Sequence, residues 1–177
     1  MAALAIPAPA QARADSVEID IAARIKERCG FASNGDNDID APRDLEEGAR
    51  LSLKVGLDCN TPYAIGVVSE HGALVNMDAS DDGSGFAFSK RYRIAVALET
   101  DKGIVRSKRC NSQDILIGGQ CEFARTATGE GLKSGRGISV GRNAVITVEW
   151  PSQSTLPRRL AAGRYKDTLI LVVGPRG

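Results

Sequence analysis

RLSLKVGLDC, residues 50–59, decides the fold class. Leu51, Leu53, Val55, Leu57 and Cys59 fall on one side of this run, with Ser52, Lys54 and Asp58 on the other. A strict period of two puts alternate side chains on opposite faces of an extended chain, so the run reads as a half-buried β-strand. The pattern spreads in both directions. Upstream, Val17, Ile19, Ile21, Ala23 and Ile25 alternate with Glu18, Asp20 and Arg24. Downstream it returns in Tyr63, Ile65 and Val67, in Tyr92, Ile94, Val96 and Leu98, and in Ala144, Ile146, Val148 and Trp150. Asp101-Lys102-Gly103 predicts a hairpin into Ile104 and Val105. Residues 168–173 are apolar on both faces, the pattern of a central strand. Weaker strand signals lie at 85–89 and 115–117, and brief helical turns are suggested only at 22–28 and 45–48. Short strands punctuated by 19 glycines and 7 prolines describe an all-β sandwich or barrel.

The chain has 177 residues, enough for one domain with its own core. Its 23 Lys plus Arg nearly balance 22 Asp plus Glu, for a net charge of +1, and both signs are scattered along the chain. Binding to nucleic acid or anionic lipid depends on clustered cations, so neither partner is expected. No stretch reaches the roughly 20 apolar residues of a membrane helix, and membrane insertion is not expected. Residues 1–14, MAALAIPAPAQARA, carry small-x-small patterns at 10–12 and 12–14. They read as the end of a secretory signal or a tail, with the domain in 15–177. Acidic 33–48 and Gly-rich 126–137 read as loops.

Chemistry-bearing motifs are few. Cys29, Cys59, Cys110 and Cys121 form no Cys-x-x-Cys pair, and His71 is the only histidine, so a zinc site is poorly supplied. An even count in an exported chain reads as two disulfides, with three connectivities open. His71 lies in SEHGAL, away from any nucleophile elbow. Asp81 and Asp82, like Glu46 and Glu47, lie in polar turn-like stretches and read as solvated. Asp36, Asp38 and Asp40 alternate without the glycine and glutamate of a calcium loop. GEGLKSGRG, residues 129–137, has neither a Walker nor a dinucleotide spacing. Trp150, in phase with Val148, belongs to the core. No catalytic residue, metal site or cofactor is assigned, and an enzyme is not expected.

Three segments carry a family resemblance: VEIDIAARIKERC, LSLKVGLDCNTPYAIGV, and AGRYKDTLILVV with its Ala-Gly-x-Tyr-x-Asp-Thr-Leu ending at Gly163, Tyr165, Asp167, Thr168 and Leu169. Together they resemble the spore coat protein U domain family, which includes pilin subunits of the archaic chaperone–usher pathway. The resemblance implies an immunoglobulin-like sandwich lacking one strand, completed first by a periplasmic chaperone and then, at an outer-membrane usher, by the N-terminal segment of the next subunit. Val17, Ile19, Ile21, Ala23 and Ile25 are the candidate donor face; the same residues also suit the domain's own first strand. Cys29 is expected to pair with Cys59, and Cys110 with Cys121. The expected product is an exported structural subunit of a surface pilus or coat. The alternatives are a secreted β-sandwich module that binds a glycan or small ligand without polymerising and, behind it, a hydrolase on a β scaffold.

Overall fold

The computed structural model describes residues 22–32 and 44–176. Among them every strand ladder is antiparallel, and the fold is all-β. The largest sheet runs β1 (Cys29–Phe31), β2 (Ala49–Cys59), β10 (Ser139–Trp150), β6 (Arg93–Thr100), β7 (Gly103–Arg106), with β8 (Cys110–Asn111) also on β6. A second sheet is ordered β12 (Leu169–Pro175), β3 (Tyr63–Ser69), β9 (Leu132–Lys133). A third joins β11 (Tyr165–Lys166), β4 (Leu74–Asn76) and β5 (Ser89–Lys90).

The alternation in the sequence becomes two faces of the large sheet. Leu57 and Cys59 of β2, Ile94, Val96 and Leu98 of β6, and Ala144 and Ile146 of β10 point inward. They meet Tyr63, Ile65 and Val67 of β3 and Phe123 in one core. Trp150 is buried there as expected, its indole N–H donating to the Glu47 carbonyl at 3.1 Å. The Asp101-Lys102-Gly103 turn joins β6 to β7 as a hairpin, pairing Thr100 with Gly103.

Several expectations are corrected. The strand buried on both faces is β3, all seven residues of which are buried, and not the C-terminal run. Gly66 lies at its centre because a Cβ there would collide with the Arg125 carbonyl. The C-terminal run forms β12, which pairs only with β3 and ends its sheet, with Ile170 46% exposed. Ile115 is in the core, but it closes a 3-10 turn, Ser112–Ile115, and starts no strand. Of 85–89, only Ser89 belongs to a ladder, in β5. Residues 22–28 and 45–48 contain no helical turn. The Gly-rich 126–137 stretch is not wholly loop, since β9 buries Leu132.

Candidate functional site

Two strand edges that are free among the described residues border the same core with a gap between them, Leu51 and Leu169 lining one cavity. β2 has β10 on one side along its length, whereas β1 covers the other side only from Leu57 to Cys59. Residues 49–55 of β2 therefore have an unpaired edge among the described residues, about 23 Å long at 3.3 Å per residue. β12 has β3 on one side and no described strand on the other. Leu51, Leu53 and Val55 from β2, with Leu169, Leu171 and Val173 from β12, reach the core yet stay only half-buried. At one end β1 lies against β12. At the other, a cavity of about 610 Å³ is lined by Leu45, Leu51, Trp150, Leu160, Tyr165 and Leu169 among others. An apolar strand with an open row of N–H and C=O groups is an unstable boundary unless something pairs with it.

The C-terminal motif builds the cavity wall. Asp167 accepts from Ser69 Oγ and Tyr92 Oη, both at 2.6 Å, and from the His71 and Thr168 amides at 3.1 and 2.8 Å. Tyr165 Oη donates to the Ala161 carbonyl at 2.7 Å and lies 3.2 Å from that of Ala87. Gly163 has φ +148°, and a Cβ on it would lie 2.5 Å from Asn76 Oδ1. Asn76 is itself fixed, its Oδ1 accepting from the Asp78 and Ala79 amides. Leu169 then begins β12 at the cavity edge. The motif thus ties β12 to β3, to β4 and to Tyr92 just ahead of β6, and holds the free edge in place.

Burial, reinforced by the Asp167 carboxylate, pushes the Tyr92 phenol well above the ordinary tyrosine range. Burial also raises Tyr63, whose hydroxyl lies 2.7 Å from Ser139 Oγ. A raised phenol favours the neutral form in the fold, so its contribution is whole below about pH 10 and is lost as pH climbs through the folded value. Asp167→Asn, which puts an amide where four donors converge, is expected to cost about 2 kcal/mol at neutral pH. Tyr92→Phe is expected to flatten the loss of stability above pH 10; urea midpoints from pH 7 to 11 measure both. A parallel decline in wild type and Tyr92→Phe would contradict the role given to this phenol.

Lys90 is a residue that sequence reasoning missed. Its side chain is 1% exposed, and its ammonium donates to the Leu45 carbonyl at the cavity rim. Burial pushes its pKa down, opposed by the Asp44 and Glu46 carboxylates. No pattern around Ser89-Lys90 announces this, because the partner lies 45 positions away.

Both expected disulfides form: Cys29–Cys59, directly across β1 and β2, and Cys110–Cys121. With no cysteine left free, they point to an oxidising, extracytoplasmic environment. No helix among the described residues is long and apolar enough to cross a membrane. His71 is exposed on a loop, 3.9 Å from Glu70. Asp81 and Asp82 cap their own turns through the Gly83 and Ser84 amides. Asp36, Asp38 and Asp40 lie outside the described residues, as do Val17, Ile19 and Ile21.

Ala23 and Ile25 are described, and neither lies in a strand; Ile25 is 82% exposed. The register sets where this segment leaves the domain. β1 is antiparallel to β2 with Cys29 opposite Cys59, so the chain before Cys29 runs past the C-terminal end of β2. Asn60 holds it there, accepting from the Arg28 amide at 2.8 Å and donating to the Lys26 carbonyl at 2.9 Å. The open edge at 49–55 lies in the other direction. Fold and site together define a disulfide-bonded, antiparallel all-β domain with an apolar gap between two strand edges. Compared with family models, curated proteins and solved structures, the chain has no match.

Proposed function

We propose that this protein is a structural subunit of a surface pilus or coat, an immunoglobulin-like sandwich short of one strand that polymerises by donor-strand exchange. Residues 15–25 of one subunit fill the gap between β2 and β12 of the next. A periplasmic chaperone occupies the gap beforehand, and an outer-membrane usher is where the exchange takes place. The observation that carries this reading is the fully apolar run of β12 at a sheet edge, bordering the same core as the unpaired part of β2, with Leu169 and Leu51 lining one cavity. Strand addition satisfies the backbone groups of both edges and buries alternate side chains between them. Val17, Ile19, Ile21, Ala23 and Ile25 supply an apolar side chain at every second position.

Action between molecules, rather than within one, is supported by the direction in which residues 22–28 leave the domain. The test is assembly in the presence of chaperone and usher. Non-reducing gels after mild heating are expected to show a ladder from the full chain and none from a chain lacking residues 15–21. A ladder unaffected by that deletion would contradict the reading and favour polymerisation through another surface. A full chain that stays monomeric would favour the non-polymerising binding module.

A further inference from the structure

The outer face of the large sheet gathers cations that the sequence scatters. Glu149 of β10 is the cross-strand neighbour of both Arg50 on β2 and Arg93 on β6. Arg50 Nε lies 3.3 Å from one Glu149 oxygen and Arg109 Nη1 lies 3.4 Å from the other. Arg106 stands opposite Ala97, at the β7 end of the same shelf. Three guanidinium groups thus neighbour one carboxylate and the fourth, of Arg106, stands further along the same shelf, an excess of three positive charges on a chain whose net charge is +1. Arg93 and Arg106 have no ion-pair partner among the described residues. The floor between them is low, formed by Ala95, Ala97 and Thr147.

We propose that this shelf binds a uronic-acid polysaccharide. Like charges packed this closely repel one another, and the single carboxylate leaves most of that repulsion for a bound anion to relieve. A planar carboxylate fits the guanidinium fork with two parallel hydrogen bonds. Glu149, with its side chain 16% exposed among the arginines, accepts hydrogen bonds from sugar hydroxyls, which a row of phosphates does not offer. No aromatic side chain lines the shelf to stack a base, as single-stranded nucleic-acid sites require. The four strands β2, β10, β6 and β7 make it about 14 Å wide, room for a short stretch of glycan laid flat. This site lies on the face away from the core and does not depend on the strand-exchange reading.

The test is binding of the full chain to immobilised polygalacturonate, neutral dextran and a thymidine oligonucleotide in 50 mM and 300 mM salt. Polygalacturonate alone is expected to be bound, and more weakly at the higher salt. Arg93→Gln with Arg106→Gln is expected to weaken binding about tenfold or more at an unchanged melting temperature. Lys133→Gln with Arg158→Gln, an equal loss of charge elsewhere, is expected to change it less than about twofold. No binding to polygalacturonate, an equal effect of the two double variants, or an oligonucleotide held as tightly would each overturn the proposal.

Discussion

Ile19→Asp or Ile21→Asp is expected to abolish the assembly ladder and leave the thermal melt of the domain where it was. Each Ile side chain buried in a neighbour's gap contributes about 1.5 to 3 kcal/mol by transfer, and several act along one strand. An aspartate at the same place meets only apolar side chains and has no partner for its charge. On this reading the domain does not need these side chains: β1 begins at Cys29, and among the described residues the chain before it is held by Asn60 and by the exposed Arg28–Asp58 pair. The opposite pattern, in which either substitution lowers the melt as much as it reduces assembly, would make residues 15–25 the domain's own strand. Scanning calorimetry on the monomer beside the gel assay separates the two.

Replacing Cys29 and Cys59 together with serine is expected to cost about 3.5 kcal/mol, a large share of a domain's stability. The bond spans 30 residues, and releasing a loop of that size returns entropy to the unfolded chain. β1 has only three paired residues and lies against β12, so its loss would also open the closed end of the gap. Urea unfolding of the double serine variant measures the cost. A loss under about 1 kcal/mol would show that β1 is held by its ladder and by Asn60, and that the bond is incidental. The Cys110–Cys121 bond, separated by 11 residues, closes a shorter loop and is expected to contribute less.

What was legible in the sequence was what a strand says about its own faces. The alternation in β2, β6 and β10 identified the inward residues, and the β6–β7 turn was readable because all its determinants are local. What was not legible was who stands beside whom. Residues 168–173 look like a central strand because apolar residues fill both faces, yet composition reports burial and not the number of paired edges. On the proposed reading, apolar chemistry suits an edge that is open only until assembly. Ile115 shows the ambiguity of short apolar runs: three such residues suit a strand or a tight turn equally. The arginine shelf is invisible for another reason. Arg50, Arg93 and Glu149 become neighbours only once the order β2-β10-β6 is known, and the chain's near-neutral total conceals a local excess. The Asp167 cluster lies between: the motif drew attention to the residue, but its partners Ser69 and Tyr92 lie 98 and 75 positions away.

The most direct test of strand acceptance between β2 and β12 uses a peptide of residues 15–25, DSVEIDIAARI, and a chain that begins at residue 22. A ligand that binds only the folded state raises its stability by mass action. At a concentration 100-fold above Kd, the gain of about 2.7 kcal/mol corresponds to roughly 5 to 10 °C in a domain of this size. The expected result is a saturable rise of that order with the native peptide and none with its Ile19→Asp, Ile21→Asp counterpart. A melting temperature that does not move at saturating native peptide, or that moves equally with both peptides, would contradict strand acceptance by the gap.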